Sequence, residues 1–394
     1  MKSPMRLTGG LVACLVVGIF VAGWRTGAAA APDRSEGSAA HSDKPETKTA
    51  NSWDPNAAAA YLDRRQSWWM EWPRAQRDHE TVCVSCHTAV PYALSRSALR
   101  TALAEQAPSP NERRLLDSVT KRVRLWKEVE PFYKDADRGP YKSVESRGTE
   151  SVLNALILSS RDAQNGQLSN DARKAFENMW AEQQIAGKQK GAWLWLRFKN
   201  EPWEADDSDY FGATLAAVAV GIAPGNYRAT PEVQTGLRPL QEYLNREFAA
   251  QIPINRVLLL WAAAKLPGLL EPDRQKAIIG ELLEKQRADG GWSLSSLSGG
   301  WKRADGTSQE TTSDGYATGL ITFVFQRAGI SRENAKLKRG LEWLTANQDK
   351  KEGSWASYSL NKGKENHISP ETALFMNDAA TSFAVLSLTA VNRR

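Results

Sequence analysis

Within TVCVSCHTAVPY (81–92), Cys83 and Cys86 stand three residues apart and His87 follows directly. Two thiols at that spacing can each form a thioether to a haem, with the adjacent imidazole as an iron ligand. The same thiols could instead join as a Cys83–Cys86 disulfide, leaving His87 an ordinary residue at a helix start. A metal site completed by the nearby His79 is a third chemistry open to them. A haem would also need a sixth ligand or an open position. His79, Met70, Met179, His367 and Met376 are the available side chains, and Met70 and His367 are favoured because His79 is too near His87 in sequence. A His–Met pair would raise the reduction potential relative to His–His.

The second group able to do chemistry is acidic. EADDSDYFGAT (204–214) places Asp207 and Asp209 on either side of Ser208. Paired carboxyls can hold one proton between them and act as a general acid. The bland reading is equally direct: an Asp at the start of an apolar helix caps it, and its neighbours lie in a solvated loop.

Compartment decides which cysteine chemistry is accessible. Lys2 and Arg6 precede a 13-residue apolar run, LVACLVVGIFVAG (11–23), and Ala28 and Ala30 have the spacing of a cleavage site. This predicts a secretory signal over 1–30, too short for a membrane span of roughly 20 apolar residues. An exported chain, in the periplasm or cell envelope, is the expectation, with no transmembrane segment beyond the signal. Of the three cysteines only Cys83 and Cys86 remain after cleavage. The signal carries Lys2, Arg6 and Arg25 and no acid, so the net charge falls from +6 to +3. That modest, interspersed balance gives no reason to expect nucleic acid as a partner. Residues 31–52 are polar, include His41, and read as a flexible linker.

From Trp53 onward the chain reads as helices of two kinds. Amphipathic patterns fall near 56–70, 111–129, 170–184, 231–249, 272–287 and 333–347. Helices apolar nearly all round, hence buried, fall near 86–104, 150–161, 209–222, 254–266, 314–328 and 377–391. Single acids, Asp314 and Asp378, stand at the starts of the last two. Strand signals are scarce. Strict alternation of six with six predicts an all-α fold, an α/α toroid with six inner and six outer helices, or (α/α)6 barrel, over 53–394.

The amphipathic helices end alike. RGLEWLTANQDKKEGSW carries Arg339, Trp343, Leu344, Gln348, Gly353 and Trp355. GELLEKQRADGGW repeats Leu282, Gln286, Gly290 and Trp292, and a weaker copy ends at Gly191 and Trp193. These motifs resemble the QW motif of squalene–hopene and oxidosqualene cyclases, and the chain is similar to that toroid family, which includes protein prenyltransferase β subunits. The motif is expected to be structural, with Gln satisfying carbonyls at a helix end and Trp covering the following turn. The resemblance implies terpene cyclase-like isomerase activity on a squalene-type polyprenoid. The family's Asp-x-Asp-Asp acid is not matched, since the order here is Asp-Asp-Ser-Asp. The zinc of the prenyltransferases lacks its cysteine and histidine ligands outside the Cys83 motif.

CVSCH itself resembles the attachment motif of c-type cytochromes, and implies covalent haem c at Cys83, Cys86 and His87. The leading expectation is therefore electron transfer or redox chemistry on an apolar, terpenoid-like small molecule, with a redox partner protein. Whether the chain is an enzyme stays open. The alternatives are the cyclase-like isomerase using Asp207 and Asp209, and a non-enzymatic binding scaffold with the disulfide.

Overall fold

The computed structural model describes residues 52–129, 139–363 and 369–390. Every described residue belongs to one compact unit, Thr49–Arg394. The expected signal, nearly all of the linker, and His367 lie outside the described residues.

Among the described residues the fold is all-α apart from one small hairpin and an isolated bridge between Asn200 and Glu204. Its first part runs α1 (Pro55–Glu71), β1 (Gln76–Arg77), β2 (Thr81–Val82), α2 (Ala89–Ala102), α3 (Pro110–Arg124), α4 (Gly139–Asn165) and α5 (Asn170–Ala181). It continues with α6 (Asp209–Ile222), α7 (Pro231–Glu247), α8 (Pro253–Lys265), α9 (Pro272–Glu284) and α10 (Gly315–Arg327). The last elements are α11 (Ala335–Ala346), α12 (Pro370–Ala373) and α13 (Phe375–Thr389). Proline opens several of these helices, where its missing N–H is no loss. Ser109 caps α3 in a reciprocal box with Glu112, and Asp314 caps α10 by accepting from the Tyr316 and Ala317 amides.

The apolar helices form the core and contact one another in a closed order. Helix α2 packs on α4, α4 on α6, α6 on α8, α8 on α10, α10 on α13, and α13 returns to α2. The amphipathic helices lie against them: α1 on α2 and α13, α3 on α2 and α4, α5 on α4, α7 on α6, α9 on α8, and α11 on α10 and α13.

In each full repeat the helix-end carbonyl expected to be satisfied by Gln is satisfied by Trp instead. The Trp indole N–H donates to a carbonyl near the end of its own amphipathic helix: Trp193 to Met179, Trp292 to Leu282 and Trp355 to Leu344, at 2.6–2.7 Å. The Gln amide instead ties two units together. Gln183 donates to Gly191 and to Gly236 of α7, and Gln286 to Gly290 and to Lys336 of α11. Gln348 donates to Gly353 and to Asp54, the cap of α1, while accepting from the Asp54 amide at 2.6 Å. The last repeat thus binds the first helix as the earlier repeats bind their successors.

Three local expectations are corrected. Ser208, not Asp209, occupies the cap position of α6, and its hydroxyl accepts from the Ala205 amide. Asp378 lies inside the first turn of α13 and caps nothing. Helix α4 begins well before residue 150, because its polar first turns are held by partners rather than by an apolar stripe. Lys142 pairs with Glu145 at 2.6 Å, and Arg147 donates to the Trp126 and Val129 carbonyls.

Candidate functional site

The Cys83–His87 segment sits between the hairpin and α2, where other repeats carry their Gly-x-Trp turn. It carries no regular structure at Cys83–Ser85 and turns at Cys86–Thr88, so the motif precedes α2. Two features hold it. The Cys83 amide donates to the Ala75 carbonyl at 2.8 Å, and the Cys83 carbonyl accepts from the Trp69 indole at 2.8 Å. The Ser85 hydroxyl then accepts from the Thr88 and Ala89 amides, which serves the free donors at the start of α2.

Cys83, Cys86 and His87 all line one cavity of about 570 Å³. That volume falls within the range of about 300–1,000 Å³ usual for small-molecule and cofactor sites. Its wall includes Trp69, Trp72, Trp203 and Phe375, and its rim carries Arg74, Lys199 and Lys362. Both cysteines are free thiols, Cys83 half-buried and Cys86 buried. Burial pushes both thiols up, so each stays protonated and uncharged.

His87 is only 5% exposed. Phe375 stacks on its ring at 3.7 Å, Trp69 meets it edge-on at 5.0 Å, and Trp203 lies 5.7 Å away. Burial, reinforced by the Arg65 cation, pushes its pKa down to about 3, leaving a neutral imidazole. His87 Nδ1 lies 2.9 Å from the Thr88 hydroxyl, which donates to Asp378 Oδ2 at 2.7 Å. Asp378 also accepts from Arg65 Nε at 2.7 Å, Arg65 Nη2 at 3.0 Å and the Tyr61 hydroxyl at 2.9 Å. Burial pushes the Asp378 carboxyl up, and the opposing Arg65 guanidinium and two hydroxyls pull it back.

Other anticipated residues lie elsewhere. Asp207 is exposed, and Asp209 is buried against Arg197, whose Nη2 donates to it at 2.6 Å. Burial pushes the Asp209 carboxyl up and Arg197 pulls it back. Neither acid lines the cavity. Met70 and Met179 are buried in the hydrophobic core away from the cavity lining, whereas Met376 borders it. His79 sits at the hairpin tip with a left-handed backbone (φ 52°) and its ring largely in solvent, facing its own neighbour Asp78. Among the described residues, no three or more His, Cys, Asp and Glu side chains are grouped to hold a metal ion.

The acids that border the cavity are Glu201 and Glu204; burial pushes both carboxyls up, Glu204 to about 7. Nothing in the sequence marks either one, since EADDSDY shows Glu204 as one acid among several in an apparent loop. Arg65, Thr88 and Phe375 were also missed. Arg65 lay inside YLDRRQ, which reads as half a repeat, and nothing local marks it as buried.

The residue set fits a covalently attached haem. Two uncharged thiols and a neutral imidazole face one aromatic-walled space, with cations at its rim suited to carboxylates such as haem propionates. The chain matches no protein-family model and no curated protein sequence. Among the described residues no helix is long and apolar enough to cross a membrane.

Proposed function

We propose that this chain is an exported α/α toroid, similar in fold to squalene–hopene cyclases, which holds a c-type haem through Cys83, Cys86 and His87. Its role is electron transfer, or redox chemistry on an apolar, terpenoid-like molecule, in company with a redox partner protein. The closed packing order of α2, α4, α6, α8, α10 and α13 supports the toroid, as does the tie from Gln348 to Asp54. One observation carries the haem reading: Cys83, Cys86 and His87 line the same aromatic-walled cavity.

Haem held there would supply one-electron redox chemistry. The residues of the chain present the thiols, hold a neutral imidazole between Phe375 and Trp69, and keep water from its ring. Met376, rather than the expected Met70, is the methionine among the described residues that borders the same space. Cyclase chemistry has less support, because Asp209 is ion-paired with Arg197 outside the cavity.

Intact mass and a pyridine haemochrome spectrum test the proposal, on protein exported from a host with the c-type maturation machinery. Covalent haem mass is expected, and is expected to vanish in Cys83→Ala/Cys86→Ala. A colourless chain two protons lighter than its reduced form would mean the Cys83–Cys86 disulfide and a binding scaffold. A colourless protein that converts squalene would restore the cyclase reading.

A further inference from the structure

We infer that Thr88 and Asp378 are positioning residues that fix His87 as the Nδ1–H tautomer, leaving the Nε2 lone pair as the nitrogen available to bind a metal. The argument follows protons along one buried chain. Arg65 donates to both oxygens of Asp378, through Nε to Oδ1 at 2.7 Å and Nη2 to Oδ2 at 3.0 Å. A carboxylate so held is an acceptor only. The Thr88 hydroxyl, 2.7 Å from Oδ2, must therefore give its single proton to Asp378. Its oxygen is then left as an acceptor toward His87 Nδ1 at 2.9 Å. An acceptor facing Nδ1 requires a proton there, so in the imidazole form, which carries a single N–H, Nε2 is bare. All five side chains, including Tyr61, which also donates to Asp378, are at most 5% exposed, so water does not compete for these bonds.

The use of that tautomer rests on the haem reading, in which the bare Nε2 is the nitrogen that would bind iron. The acceptor on Nδ1–H also raises the basicity of the ring. The tautomer itself does not require haem, and the test exploits this.

The exported chain is labelled with 15N-histidine in a host lacking the c-type maturation machinery, and its four histidines are followed by NMR at neutral pH. The resonance lost in His87→Gln assigns His87. Wild type and Thr88→Ser are expected to show a protonated Nδ1 and a bare Nε2. Thr88→Val is expected to shift the ring toward the Nε2–H form, which a free imidazole prefers. A wild-type ring protonated on Nε2 overturns the inference, as does a folded Thr88→Val that keeps the Nδ1 proton. If Thr88→Val does not fold, the wild-type spectrum alone decides. Failure of haem attachment leaves this result untouched, so the two readings fail separately.

Discussion

Glu204 offers the clearest pH signature of any single residue here. Its carboxyl rises from 4.5 to about 7, chiefly through burial beside the cavity. Between those values the folded chain holds a proton that the unfolded chain has released. The stability linked to this group is therefore full below about pH 4.5 and is lost as pH rises through about 7. Glu204→Gln should match wild type near pH 4 and exceed it at pH 8. The gain should be no more than about 2 kcal/mol, because the group borders an open cavity. Urea titrations of both proteins across that range check this, and a constant difference at every pH would sink it. At this scale the sequence was informative about Cys83, Cys86 and His87, whose chemistry depends on adjacency. It was uninformative about Glu204, whose raised pKa depends on what covers it.

Each Gln-Gly-Trp loop docks on the next amphipathic helix, and glycine is what permits the approach. Gly353 has φ +81°, and a Cβ there would lie 2.1 Å from the Ala57 carbonyl oxygen of α1. Gly290 has φ +94°, but its Cβ would stop 2.9 Å from the Arg339 carbonyl oxygen. Gly166 shares the left-handed backbone (φ +71°) with open space around it. Gly353→Ala should therefore cost about 2–4 kcal/mol, Gly166→Ala about 1 kcal/mol, with Gly290→Ala between them. Thermal unfolding of the three variants gives the order, and equal losses would mean that φ alone matters. The elements are legible in the sequence, since apolar spacing along a helix is a local property. Starts and ends agree within a few residues except at α4, whose first turns are secured by pairs rather than by periodicity.

Across the whole molecule the N-terminal and C-terminal helices are joined by charge as well as by packing. Arg65 on α1 and Asp378 on α13 are both nearly inaccessible to solvent. Arg65→Met would leave Asp378 buried without its counter-ion, at a cost of about 3–5 kcal/mol. The exposed pair Arg64–Glu352 is the comparison, and Arg64→Met should cost less than about 1 kcal/mol. Chemical denaturation separates the two, and similar small losses would show that the first helix is not integral to the fold.

The sequence alone determined the alternation of amphipathic and apolar helices, the repeated Gln-Gly-Trp loops and the thiol–thiol–imidazole motif, because each is written in neighbouring residues. The tertiary structure decided that those three side chains share a cavity with Trp203, Met376 and Glu204. It also decided that Asp207 and Asp209 stand outside it, and that Asp378 serves His87 through Thr88 instead of capping α13. The physical reason is distance along the chain. Asp378 and Thr88 are 290 residues apart and meet only when α13 packs back against α2. Hydrophobic periodicity says that both helices are buried, but not which polar side chains are brought into register when they close.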